Sequence, residues 1–156
     1  MSQGIPERFK CPCCGYPTLD ERNTYEICVL CNWEDDGQED PHANEVWGGP
    51  NADYSLTEAR NYFKSFYIMY SEGRDLRLIK GQTEEEIKIK KALVEVFDEI
   101  VKIAGKSKML WAEALRLESQ LHKITHEKIK AFENNIKNYH DEGAEVNEQY
   151  NRRYSI

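Results

Sequence analysis

Two Cys-x2-Cys pairs, Cys11/Cys14 and Cys28/Cys31, stand thirteen residues apart near the start of the chain. No other feature restricts the fold as strongly. A tight turn between paired cysteines aims two thiolates at one point, and two such turns complete a tetrahedron around a metal ion. The turn also leaves backbone N–H groups facing the sulfurs. It needs a residue tolerant of positive φ directly after its second cysteine. Gly15 and Asn32 occupy those places, and these residue types visit that region at least cost. Pro12 stiffens the first turn. Residues 16–19 and 25–27 read as a β-hairpin around residues 20–23. Cys13 cannot make a two-residue turn with Cys11 or Cys14 and stays outside the ligand set. The expectation is one structural zinc per chain on Cys11, Cys14, Cys28 and Cys31. Four thiolates also accept iron, but zinc is the resting expectation. Four protein ligands leave no position open for water or substrate, so the site supports a fold and performs no chemistry.

The beginning of the chain is poor in aliphatic residues, and metal is one staple for a segment that cannot bury enough apolar surface. The chain opens Met1-Ser2-Gln3-Gly4, without an apolar run of signal-peptide length. Nothing in it approaches the ~20 apolar residues needed to span a bilayer. A cytoplasmic protein with no membrane partner is expected, and its reducing surroundings favour clustered cysteines as ligands over disulfides.

The net charge of -7 is unevenly placed. Residues 1–60 hold four basic and twelve acidic side chains, and the remainder holds 17 basic and 16 acidic. Direct nucleic-acid binding is disfavoured, because the basic footprint it requires is missing where a zinc module would suggest DNA.

From residue 56 onward the pattern is helical. Ser55-x-x-Glu58 and Thr83-x-x-Glu86 are capping boxes. The first helix runs to about Tyr70 and ends at Gly73, with Leu56, Ala59, Phe63, Phe66 or Tyr67, and Tyr70 on one face. The second covers residues 83–104, with Ile87, Leu93 or Val94, Phe97, Ile100 or Val101, and Ala104 as its stripe and Gly105 as its stop. Ser107 caps a third helix without a breaker until Gly143. Its stripe is Leu110, Ala114, Leu117, Leu121 and Ile124, then Ile129, Phe132, Ile136 and Tyr139. The step of five from Ile124 to Ile129 turns the stripe. The second and third helices form a long antiparallel hairpin, and the third overshoots its partner by roughly 20 Å. Cover from within the chain is the simplest expectation for the overshoot. A second copy or a foreign partner are the alternatives. The fold class is α+β, mostly α: a zinc ribbon over residues 1–55 with an acidic loop, packed on a helical bundle over residues 56–156.

Other candidate chemistry is thin. The acidic run lacks the alternating ligands of a calcium loop. Gly48-Gly49-Pro50-Asn51 is turn chemistry, with no Lys-Ser/Thr to make it a phosphate loop. His122 and His126 lie one helical turn apart but have no third ligand. His42 has no catalytic support. No catalytic residues are assigned, and the chain does not read as an enzyme.

The motif Cys11-Pro12-Cys13-Cys14-Gly15-Tyr16-Pro17-Thr18-Leu19 is followed by Tyr25-Glu26-Ile27-Cys28-x-x-Cys31-x-Trp33-Glu34-Asp35-Asp36-Gly37-Gln38. Gly48-Gly49-Pro50-Asn51 and Ser55-Leu56-x-Glu58-Ala59-Arg60-x-x-Phe63 come next. Together they closely resemble the bacterial CPCC family of cysteine-rich proteins over about residues 10–66. In that family a proline commonly follows the third cysteine and an aromatic residue precedes the tryptophan; here Val29 and Asn32 stand there. The resemblance implies a zinc-ribbon-like module and brings no settled activity.

The expected function is an intracellular zinc-binding protein that works through protein–protein interaction, in its specific form an immunity protein or inhibitor of a toxin. Trp33, Glu34, Asp35, Asp36, Glu39 and Asp40 in the loop, and Trp111, Phe132 and Tyr139 on the hairpin, are the candidate partner-binding residues. A basic toxin or nuclease suits the acidic surface, and a homodimer is the competing account. A zinc-containing regulatory or nucleic-acid-associated protein, and an enzyme using the acidic loop, are the other classes.

Overall fold

The computed structural model describes residues 4–72, 74, 81–104 and 106–154, with side chains to residue 138. Two short strands, β1 (Phe9–Lys10) and β2 (Pro17–Leu19), precede three helices, α1 (Leu56–Phe66), α2 (Glu84–Lys102) and α3 (Lys108–Tyr154). The architecture is mostly helical, with an antiparallel two-stranded hairpin at its N-terminal end.

The expected hairpin is corrected. Residues 16–19 do not pair with residues 25–27. β2 pairs with β1 instead, Phe9 opposite Leu19 and Lys10 opposite Pro17. Residues 25–27 belong to a second hairpin, in which Ile27 bridges Glu34 and Tyr25 and Glu26 exchange backbone bonds with Asp35. The reason is local. Each cysteine turn closes on itself, so the chain on either side of it pairs first with its own return.

Both capping boxes form, at Ser55/Glu58 and Thr83/Glu86. The Ser107 hydroxyl accepts from the Leu110 amide at 3.2 Å and starts α3. α1 stops at Phe66, four residues before the expected Tyr70. Tyr67 turns left-handed, with φ 57°, and its N–H donates to the Phe63 carbonyl. The Met69 amide then donates to the Cys31 carbonyl at 2.9 Å, and Ile68, Met69 and Tyr70 are buried in a bent, non-helical stretch. Gly73 and Gly105, the expected stops, lie outside the described residues. α3 passes through Gly143 without a break. One interior glycine costs only about 1 kcal/mol relative to alanine, and no proline follows to enforce an end.

On α2 the buried face is Ile89, Leu93, Phe97 and Ile100. Val101 and Ala104 are exposed, and Ile87 lies at the edge of the face. The same face buries two charged side chains, Glu86 and Lys90. The Lys90 ammonium donates to the Tyr67 carbonyl at 2.9 Å and to Gln82 Oε1, and Lys128 of α3 pairs with Glu86. Ala114, Leu117 and Leu121 of α3 complete the contact with α2.

One apolar core runs from Cys11 to Leu121 and crosses the expected boundary at residue 55. Tyr16 stacks on Phe97 with ring centroids 5.8 Å apart, and its hydroxyl donates to Asp98 at 2.9 Å. Arg8 makes a two-point ion pair with Glu118 of α3, at 3.1 and 3.0 Å, in a largely buried setting. On the described part of the α3 overshoot Phe132 is half-buried. Ile129 and Ile136 are each 41% exposed.

Candidate metal centre

The two cysteine turns are built alike. In the first, the Cys11 amide donates to the Tyr16 carbonyl at 2.9 Å and Gly15 returns to the Cys11 carbonyl at 2.8 Å. In the second, the Cys28 amide donates to the Trp33 carbonyl and Asn32 returns to the Cys28 carbonyl, both at 2.9 Å. Gly15 (φ 81°) and Asn32 (φ 70°) take the left-handed conformation that this geometry demands. Backbone amides also face the sulfurs: Cys31 N lies 3.5 Å from Cys28 Sγ, and Trp33 N lies 3.4 Å from Cys31 Sγ.

The turns bring Cys11, Cys14, Cys28 and Cys31 together, with their sulfurs all within 4.8 Å of one another. Cys11 and Cys31 are 3.6 Å apart, and Cys14 and Cys28 are 3.7 Å apart. A Zn–S bond of about 2.3 Å gives a tetrahedron with edges of roughly 3.8 Å. The cluster is therefore shaped for a four-thiolate metal ion, and the donor set fits one.

Charge points the same way. Burial opposes ionisation of Cys28, yet hydrogen bonds from Cys11, Cys14, Cys31 and Thr18 converge on it and hold its thiol well below the ordinary range. Thr18 Oγ1 lies 3.0 Å from that sulfur. Cys11 receives a hydrogen bond from Cys14, but donation to Cys28 and Cys31, with burial, leaves it raised. Burial above all holds Cys14 and Cys31 well above the ordinary thiol range. Burial thus opposes ionisation across the cluster, and a bound dication would supply the charge that lets all four cysteines ionise.

Residues 9–85 match the family model of the cysteine-rich CPCC proteins. This stretch belongs to the cysteine-rich CPCC family. Neither a curated protein nor a solved structure matches the chain. The CPCC region extends past β2 and α1 to the first turn of α2, further than the motifs read from the sequence.

Within the CPCC region the acidic loop is mostly architecture. Asp35 is fully buried and accepts from Arg22 Nε at 2.8 Å, from the Asn23 amide at 2.8 Å and from the Gly37 amide at 3.3 Å. Trp33 is also fully buried, and Trp111 is 4% exposed beneath Phe97. These three are withdrawn as partner-binding residues, because no partner can reach them in the folded chain. Asp36 accepts from the Gln38 amide at 3.0 Å, and Glu34 is half-buried. Glu39 pairs with Arg22 and Asp40 with Arg60, but both carboxylates stay open to solvent. Phe132 is partly exposed on α3. The Tyr139 side chain lies outside the described set. His122 and His126 are exposed helix positions.

Sequence reasoning missed the residues that brace the turns. Asn51 pairs with the backbone of Glu34 in both directions, at 3.0 and 2.8 Å, as a strand would. Gln38 Nε2 donates to the carbonyls of His42 and Glu45 at 2.7 and 2.6 Å. Arg60 Nε donates to the Pro12 carbonyl at 2.9 Å and ties α1 to the first turn. Polar contacts from side chain to backbone such as these leave no periodicity to read.

Cys13 is buried but outside the four-sulfur group. Cys13→Ser is expected to leave metal stoichiometry unchanged and to cost about 1 kcal/mol, the scale for placing a hydroxyl in a buried apolar position. Elemental analysis and chemical denaturation of the variant check this. Loss of the metal would place Cys13 among the ligands.

Proposed function

We propose that this chain is a zinc-binding protein, with one structural ion per chain on Cys11, Cys14, Cys28 and Cys31, and that it acts by binding another protein. The observation that carries the first half is the closed tetrahedral cluster of sulfurs, with Cys11, Cys28 and Cys31 buried and Cys14 partly so. It has four donors and no gap for a substrate, which is the arrangement of a folding centre and not of a catalytic one. Elemental analysis of purified protein should return about one zinc per chain. Iron in its place, seen by its visible absorption, or a folded protein free of metal would overturn this part.

The second half rests on what remains exposed. Glu39 and Asp40 offer open carboxylates on the strongly acidic N-terminal part of the chain. Complementary charge speeds encounter and fixes register, so a basic protein is the natural partner. A basic nuclease toxin with this chain as its immunity protein is the specific form of the reading. Capture from the native host, repeated with Glu39→Lys and Asp40→Lys together, tests it. Loss of most of the captured basic protein is the expected result. The exposed ion pairs to Arg22 and Arg60 are worth only ~1 kcal/mol or less, so the variant should keep its fold and its metal. Undiminished capture would sink the acidic-surface reading.

A further inference from the structure

The loop that follows the second cysteine hairpin is held from two sides. Gln38, itself fully buried, donates through Nε2 to the carbonyls of His42 and Glu45. From the other side the Thr57 amide, at the start of α1, donates to the Ala43 carbonyl at 2.9 Å, and the Thr57 hydroxyl donates to Asn44 Oδ1 at 2.6 Å. Gly48 and Gly49, with φ 72° and 63°, then turn the chain away. Between these ties stand Val46, 53% exposed, and Trp47, 47% exposed. Single exposed apolar residues are ordinary. An adjacent pair that includes a tryptophan, on a loop already ordered, is the composition of a binding hot spot and loses little entropy on docking.

Trp47 does not stand alone. Its ring lies beside that of His42, with centroids 5.8 Å apart and planes tilted by 52°. Both rings lean on one carboxylate: His42 Nδ1 lies 2.5 Å and Trp47 Nε1 3.5 Å from Glu45 Oε2. The other oxygen, Oε1, has no hydrogen-bond partner among the described residues. Residues 34–47 hold six acidic side chains and no lysine or arginine. Arg22 and Arg60 reach in from elsewhere, but they pair with Glu39 and Asp40 and not with Glu45. Two other rings already carry a cation, Arg74 over Tyr54 at 5.2 Å and Lys91 over Tyr67 at 5.7 Å. Among the described residues no cation lies over Trp47.

An exposed indole beside a half-free carboxylate suits a cation with two properties. It must offer a flat face to the ring and N–H groups in its own plane to the oxygen. A guanidinium has both, whereas an ammonium is a point charge that is more strongly hydrated. We infer that Val46, Trp47 and Glu45 anchor an arginine side chain of a basic protein partner, with the guanidinium stacked on Trp47 and donating to Glu45 Oε1. This rests on the reading that the chain binds a basic protein through its acidic loop, and it gives that surface an aromatic centre.

A capped peptide alternating glycine and arginine, titrated into the full metal-loaded chain at low salt, tests the site. Trp33 and Trp111 are buried, so acrylamide quenching and the shifted indole N–H resonance report Trp47. Saturable protection of Trp47 is expected, and a matched peptide with neutral citrulline in place of arginine should give none. By calorimetry, Trp47→Ala and Glu45→Gln should each weaken the arginine peptide about two- to fivefold, the scale of an exposed cation–π contact. Both variants should keep their metal and fold, because the ring and the carboxylate stand in solvent and the Glu45 carbonyl still receives Gln38. Absence of saturable binding overturns the inference, and equal binding of a lysine peptide overturns the guanidinium assignment. Binding that ignores both substitutions but is lost in Glu39→Lys with Asp40→Lys also overturns it, and leaves the acidic-surface reading in place.

Discussion

Removing the metal with a strong chelator is expected to unfold the cysteine turns and the chain packed on them, through Tyr70. Structural zinc contributes apparent folding free energy of roughly 10–16 kcal/mol in small modules. The total stability of a domain this size is about 5–15 kcal/mol. The turns contribute little of their own, because the buried apolar side chains within residues 9–33 are the cysteines with Leu19, Leu30 and Trp33. Trp33 fluorescence and near-ultraviolet dichroism should report the loss, since that ring is fully buried. Most of the far-ultraviolet helical signal should remain, because α2 and α3 hold most of the helical residues and pack on each other. Cys14→Ser should give the same result without a chelator. Acid should do so too. Ligands must be thiolates, and three of the four thiols prefer their protons, so metal affinity falls as pH falls. A native Trp33 signal after complete chelation would show that the turns fold without metal. Complete loss of helix would show that α2 and α3 depend on the turns through Tyr16–Phe97 and Arg8–Glu118.

The contrast between the legible and the illegible parts is physical. Cys-x2-Cys with Gly15 or Asn32 behind it is a local rule, since every atom that makes the turn lies within six residues. The capping boxes at Ser55 and Thr83 are local in the same way, and both form. The hairpin assignment failed because two pairings were open to residues 16–19 and 25–27. The choice between them lay in the hydrogen bonds closing each turn. The end of α1 was misplaced because aromatic spacing continued through Tyr70, while the chain was claimed by a bond to Cys31. Glu86 and Lys90 look like surface residues in sequence and lie buried beside each other's partners. That depends on Gln82 nearby and on Tyr67 and Lys128, which are distant along the chain.

The acidic loop holds the most instructive error, because its charges divide by depth and not by sign. Sequence places Asp35, Asp36 and Asp40 together as one surface. In the structure Asp35 lies fully buried beneath the others, holding the Arg22 guanidinium and two backbone amides. Asp35→Ala should therefore destabilise the metal-loaded protein by about 2–3 kcal/mol, because the Asn23 and Gly37 amides lose their acceptor while the partly exposed Arg22 keeps only its pair with Glu39. Asp40→Ala removes only an exposed pair with Arg60 and should change stability by about 1 kcal/mol or less. Urea denaturation at saturating zinc compares the two. Equal and small effects would mean that Asp35 is no support for the loop. A variant at Asp35 that kept full stability yet lost its protein partner would return that residue to the surface role read from the sequence. If the difference is found, charge reversal at Asp35 says nothing about recognition, because it unfolds the loop that carries Glu39 and Asp40 before any partner arrives.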